Sequence, residues 1–370
     1  MITARLVTIL ASLGMPALFA PALVRVRGRI PPGPWGLCAT LLCLEPLAAP
    51  WVVSGLASPA VTWLVGILGG IVMIRVIDWL ARPRLEGDLI RIWLVLTVWP
   101  ALEIEDVGIR LPRLRERIGD VIHRGAAGLA GLAGGLALAA LGQTLMVPDR
   151  GFLLDGSFKS LEIYLLAGGA NNLLVAAFAL AGYRVFDGFR YPILAHSVLD
   201  FWSRYNVWIH RWLKRHIFEP IARRRRPALG ILAVFVFSGL VHEYFFLPFA
   251  PDLFGWQLTF FVLHGLGAIA GFRLGRTFHA VVGRRVPRPL AIATTLGFVL
   301  LTAPIFIHAL DRVVDLHRDV GGWVLRTLGE SIDRPRSSLT SSRRSCTRLA
   351  PCSSLLPSPP NKNGTKSYCA

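Results

Sequence analysis

Apolar residues gather along this chain in blocks about twenty long, parted by polar and arginine-bearing stretches. A helix needs about 20 apolar residues to cross a bilayer. Eight blocks meet that length or approach it: 5–24, 35–57, 59–81, 126–147, 160–183, 228–250, 255–272 and 290–310. At ~1.5 Å per residue the block 228–250 spans about 34 Å, enough to cross with some tilt. A ninth run, 89–103, contains Arg91 and Pro100, and as a span it would put the basic stretches on its two sides in opposite compartments. It reads instead as re-entrant or interfacial. The pattern predicts an all-α, polytopic bundle of transmembrane helices with added surface helices.

Charge gives the bundle a direction. The connections 25–34, 82–125, 184–227 and 273–289 hold 3, 8, 10 and 5 basic residues, whereas the alternate connections 58, 148–159 and 251–254 hold 0, 2 and 0. That asymmetry predicts cytoplasmic basic loops. Arg5, an apolar stretch and small residues near Ala20 also imitate a secretory signal, but the many spans that follow favour a first transmembrane helix. Composition agrees: 54% of the 370 residues are hydrophobic, too many for a soluble globular protein. The net charge of +18 comes almost wholly from arginine and sits in the loops, which fits a membrane surface and not nucleic acid. Cysteine spacing suggests neither a metal site nor a disulfide framework.

Two regions depart from the block pattern. Segment 184–227 is rich in tryptophan and arginine at helical spacing, with Arg204, Arg211 and Arg215 on one face and Trp202, Ile209 and Leu213 on another. It predicts an amphipathic helix at the membrane surface. From Ser331 onward the chain holds ten serines and a single acidic residue. The expected division is a membrane-embedded domain over 1–330 and a disordered Ser/Pro-rich basic tail over 331–370.

The candidate chemistry centres on His242, deep in the block 228–250, next to Glu243 and four residues after Ser238. Ionisable groups are costly in hydrocarbon, so one placed there is a functional candidate. A neutral imidazole can accept a hydroxyl proton, and in a water-poor cavity that hydroxyl would attack an activated ester such as a thioester. An amide such as that of Asn206 can serve the developing oxyanion or orient the histidine. The plainer readings are a helix-packing histidine and a helix-end asparagine. Asn171 and Asn172 read as helix-joining residues and the small-residue run 128–142 as a packing face. Asp78 reads as a local partner of Arg75. Glu45, Glu162, His264 and His308 are open between cavity and structure.

The segment FWSRYNVWIHRWLKRH, 201–216, resembles the membrane-bound O-acyltransferase family in its wax-ester, diacylglycerol and sterol branch. Phe201, Trp202, Asn206, His210, Arg211, Trp212, Arg215 and His216 match the family segment; Ser238, His242, Glu243 and Tyr244 match its downstream S-x-x-x-H-E-Y. Tyr205 departs from it, since the family usually carries tryptophan there. The resemblance implies transfer of an acyl group from acyl-coenzyme A to a hydroxyl of a lipid or long-chain alcohol, with no metal or prosthetic group. It implies a catalytic His242 with Asn206 as its partner, and Glu243 among the substrate-contacting residues. Arg204, His210, Arg211, Lys214 and Arg215 suit either the coenzyme's phosphates or anionic lipid headgroups. A sugar or small-metabolite hydroxyl as acceptor, and a non-enzymatic lipid transporter, are the alternatives. Oligomeric state is open.

Overall fold

A computed structural model describes residues 19–20, 22–24, 26–27, 29–54, 58–80, 114–145, 151–180, 187–282 and 286–328. Most of the predicted first span, the run 89–103 and the tail 331–370 fall outside them. Within the described residues the secondary structure is helical, with no strand. The helices are α1 (Pro32–Val53), α2 (Pro59–Leu80), α3 (Leu114–Thr144), α4 (Phe152–Leu180), α5 (Val198–Tyr205) and α6 (Val207–Leu213). A π-helical turn (Lys214–Phe218) and the short turn Glu219–Ala222 follow, then α7 (Pro227–Phe246), α8 (Trp256–Val282) and α9 (Arg288–Leu310). A second π-turn, Leu316–Gly321, leads into α10 (Gly322–Thr327). Among the described residues, seven helical stretches are long and apolar enough to cross a membrane: Pro32–Val53, Pro59–Asp78, Arg117–Thr144, Phe152–Leu180, Pro227–Phe246, Pro251–Gly275 and Arg288–Leu310. They coincide with the second to eighth predicted blocks.

Local chemistry sets the boundaries. Proline opens α1, α7 and α9, where its fixed φ suits the first turn and its missing N–H is no loss. In α5, Ser197 accepts a hydrogen bond from the Asp200 N–H at 3.1 Å, and the Asp200 carboxylate accepts one from the His196 N–H at 3.1 Å. These reciprocal bonds satisfy two donors at the helix start.

Small residues bring α3 and α4 together. A Cβ on Gly131 would lie 2.9 Å from the Cα of Gly169, and one on Gly169 would lie 2.7 Å from the Leu132 nitrogen. The run 128–142 is thus the packing face its composition predicts, and glycine is required where backbone meets backbone. Asn171 joins elements too, although not helix to helix. Its Nδ2 donates to Asp187 at 2.7 Å and its Oδ1 accepts from the Gly188 N–H at 3.1 Å, pinning the approach to α5. Asn172 donates to the Gly168 carbonyl of its own helix at 3.1 Å.

The single amphipathic helix expected over the motif segment is instead two. Asn206, with φ −143° and ψ 82°, ends α5, and its Oδ1 accepts the Ile209 N–H at 3.3 Å to start α6. An asparagine that competes for local N–H groups breaks a helix in this way. Asp78 also has a partner beyond Arg75. Its Oδ1 is 2.9 Å from the Nε2 of His216, tying the π-turn to the end of α2, while its contact with Arg75 is 4.0 Å.

Candidate active site

On α7, Ser238 and His242 are one helical turn apart. The Nδ1 of His242 lies 2.7 Å from the Ser238 carbonyl, which can only accept, so Nδ1 carries the proton. That tautomer leaves the lone pair on Nε2, which has no hydrogen-bond partner among the described residues. The Ser238 hydroxyl is occupied with the Val234 carbonyl at 2.9 Å. The imidazole is held by rings: Phe261 at 4.5 Å, Phe306 at 5.5 Å and Phe245 at 5.8 Å between centroids.

His242 borders a cavity of about 210 Å³. α4 contributes Ser160, Leu161, Ile163 and Tyr164; α5 contributes Phe201, Trp202 and Tyr205. α8 supplies Phe260 and Phe261, and α9 supplies a stripe from Leu296 to Ile307. The walls are largely hydrocarbon and aromatic, with a few polar atoms among them. A water-poor site of this kind preserves a nucleophilic alcohol and strengthens hydrogen bonds to a developing charge.

Trp202 fixes this wall through a polar relay. Its indole N–H donates to Nδ1 of His264 at 2.9 Å, and Nε2 of His264 lies 2.8 Å from the Thr302 hydroxyl. The indole can only donate, so Nδ1 of His264 accepts and Nε2 carries the hydrogen. Thr302 in turn donates to the Phe298 carbonyl at 2.8 Å. His264 is fully buried, and both its nitrogens are engaged. The relay joins α5, α8 and α9 around the cavity. Its sequence signal was a histidine and a threonine inside apolar blocks, with nothing to say that they meet.

Of the other expected residues, Asn206 occupies the α5–α6 junction and does not border the cavity; its neighbour Tyr205 does. The Nδ2 of Asn206 has no partner among the described residues. The Glu243 carboxylate turns to the start of α8, where one oxygen accepts the Gly255 N–H at 2.9 Å and the Leu258 N–H at 2.8 Å. Gly255 has φ +98°, a conformation glycine adopts without strain, and a carboxylate at a helix N-terminus is favoured by the helix dipole. Glu243 therefore fastens α8 to α7 one residue beyond His242.

Arg204 is paired with Asp200 at 2.7 Å. Burial pushes the Asp200 carboxyl upward, but Arg204 and the His196 N–H outweigh it and hold it below the usual range. His210 is half-buried, and its pKa is lowered by that burial and then by the charges of Lys214 and Arg211. Arg215 is exposed. Burial raises the Tyr205 phenol, so its hydroxyl stays protonated at neutral pH.

A second polar cluster lies where α4 meets the chain after α9. Lys159 is 2.8 Å from both Asp155 and Asp311 and 3.3 Å from Asp315. The buried His317 bridges Asp155, at 2.9 Å from Nδ1, and Glu162 through Nε2. Sequence reasoning placed Glu162 near a cavity or a helix end; its oxygen is held by His317. None of these groups borders the cavity beside His242.

Residues 174–278 match the model of MBOAT, the membrane-bound O-acyltransferase family, and so include α5 to α7, most of α8 and both motif segments. A long-chain-alcohol O-fatty-acyltransferase of Simmondsia chinensis is 34% identical over 139 residues, 35% of this chain and 39% of that protein. A probable long-chain-alcohol O-fatty-acyltransferase 2 of Arabidopsis thaliana is 30% identical over 151 residues, 38% and 43% of the two chains. An acyl-CoA–sterol O-acyltransferase 1 of Arabidopsis thaliana is 29% identical over 185 residues, 45% and 51%. The chain thus spans between two fifths and half of the length of these relatives. Together with the seven long apolar helices, the family match makes this an integral, multi-pass membrane protein.

Proposed function

We propose that this chain, whose residues 174–278 match the model of the membrane-bound O-acyltransferase family, moves an acyl group from acyl-coenzyme A to the hydroxyl of a long-chain alcohol or other lipid. One observation carries the reading: a partly buried histidine with its tautomer fixed, its Nε2 unpaired among the described residues, borders a half-open, largely apolar cavity. Nε2 removes the proton from the acceptor hydroxyl as its oxygen bonds to the acyl carbon. The tetrahedral intermediate then collapses, the carbon–sulfur bond breaks, and the imidazolium returns the proton to the departing thiolate. Protons and charges balance, so this sequence of steps calls on no metal and no prosthetic group.

The cavity is smaller than the ~300–1,000 Å³ of a pocket that swallows a whole ligand. It suits the reacting ends of the two substrates, with the coenzyme body lying elsewhere. The basic residues Arg204, His210, Arg211 and Arg215 belong to the α5–π-turn segment, which the excess of basic residues in alternate loops predicts to face the cytoplasm. There they would meet the phosphates of the coenzyme, which arginine forks suit. Asn206 acts as a positioning residue, its Oδ1 setting the α5–α6 junction beside Tyr205, and Glu243 supports His242 by fixing α8. We assign this machinery to residues 1–330.

The test is acyl transfer in membranes carrying the protein, with labelled acyl-coenzyme A offered to a long-chain alcohol and, separately, to a sterol. The wild type is expected to form labelled ester, and His242→Ala to lose roughly 10²–10⁴-fold of that rate. Ester formation at the wild-type rate in the variant would remove the mechanism.

A further inference from the structure

Acyl transfer needs a donor for the oxyanion as well as a base, and the polar atoms of the cavity can be sorted by what they already hold. The Ser160 hydroxyl donates to the Gly156 carbonyl at 2.7 Å. The Trp202 N–H donates to His264 at 2.9 Å, and Nδ1–H of His242 donates to the Ser238 carbonyl at 2.7 Å. Two lining donors have no protein acceptor among the described residues: the hydroxyls of Tyr164 and Tyr205. Both rings flank Phe189, at 5.2 Å and 5.3 Å.

Ring contacts separate the two. Tyr205 stacks on Phe201 at 5.6 Å and stands edge-on to Trp202 at 5.6 Å. Trp202 lies 5.4 Å from Phe261, which lies 4.5 Å from His242. The Trp202–His264–Thr302 relay fixes that chain of rings, so Tyr205 is held by the same aromatic wall as the base. The only described ring partner of Tyr164 is Phe189. Neutral phenols are good donors to an alkoxide and change little in geometry as charge develops, which is what a preorganised oxyanion site requires.

We propose that the Tyr205 hydroxyl donates a hydrogen bond to the oxygen of the acyl carbonyl as it becomes an oxyanion. This rests on the acyl-transfer reading above. The step is balanced: the acceptor oxygen bonds to the acyl carbon, the carbonyl π pair moves to its oxygen, and Tyr205 bonds to that oxygen without giving up its proton. Collapse restores the carbonyl and breaks the carbon–sulfur bond. The residue is also where the chain departs from the tryptophan usual in the motif, so the donor here is an oxygen acid and not an indole.

Purified Tyr205→Phe, which keeps the ring and removes only the hydroxyl, tests the assignment beside wild type, His242→Ala and Tyr164→Phe. The expected result is a fall in kcat on the order of 10²–10³-fold, with KM for acyl-coenzyme A and the thermal unfolding midpoint unchanged. A Tyr205→Phe enzyme at wild-type kcat overturns the assignment. So does a loss confined to KM, or a loss of that size in Tyr164→Phe alone. Should the phenylalanine variant fail to accumulate, 3-fluorotyrosine at 205 changes the acidity of the phenol with little change in shape; an altered kcat supports the role and an unaltered one ends it. The parent reading fails separately, through a wild type that makes no ester or a fully active His242→Ala.

Discussion

His317 gives the most quantitative test of the fold. It is fully buried, with Nδ1 2.9 Å from Asp155 and Nε2 on Glu162. Burial alone would lower its pKa, but the two carboxylates outweigh it and raise it to about 9 from 6.5. A rise of that size corresponds to about 3 kcal/mol of folding stability, at ~1.4 kcal/mol per unit. Because the folded pKa is the higher one, the contribution is fully present below pH 6.5 and is lost as pH rises towards 9. The ring meets Asp155 and Glu162 of α4, with Phe158 at 5.6 Å and Gly142 of α3 packed against it, while Lys159 shares Asp155 with it and pairs with Asp311 and Asp315. Burial raises Asp311 to about 6 against the pull of Lys159, so its own stabilising effect fades below the His317 window. The assay is the thermal unfolding midpoint of the detergent-solubilised protein from pH 6 to 9.5, for wild type and His317→Gln. The wild-type midpoint should fall by several degrees between pH 6.5 and 9. The variant should start lower, since breaking a buried pair leaves carboxylates uncompensated at about 3–5 kcal/mol, and should be flatter across the window. Parallel curves for the two proteins would refute the reasoning.

The Trp202–His264 bond predicts strong coupling. His264→Phe strands the indole N–H at a cost of about 1–3 kcal/mol, and adding Trp202→Phe should cost less than the two single changes summed; a double-mutant cycle on thermal stability with no coupling would disprove the relay. Glu243→Leu leaves the N–H groups of Gly255 and Leu258 without their acceptor, so a loss of roughly 1–3 kcal/mol in unfolding free energy is expected with KM for acyl-coenzyme A unchanged; a stable variant with a raised KM would show that the carboxylate meets substrate instead.

The apolar blocks made the spans legible because a bilayer imposes a length and forbids charge, and both constraints act locally along the chain. The motif residues singled out His242, which the structure places at the border of the cavity. What sequence missed was long-range: nothing in the chain near His264 names Trp202, 62 residues away, or Thr302, 38 away. Glu162 and His317 meet across 155 residues for the same reason. Asn206 misled in a different way. Helical spacing of arginine runs unbroken through it, but its side chain competes for the Ile209 N–H and breaks the helix.

The bond from Glu243 to the start of α8 bears on redesign. His242, Phe260, Phe261 and His264 all ride on two helices locked at their junction, with Gly239 packed against Leu258 and Gly265 against Phe235. Changing that half to admit bulkier molecules would disturb the imidazole along with the wall. The opposite half, where Leu161 of α4 and Leu300 of α9 are exposed, holds none of these residues. On the acyl-transfer reading proposed above, changes meant to alter the accepted alcohol belong there.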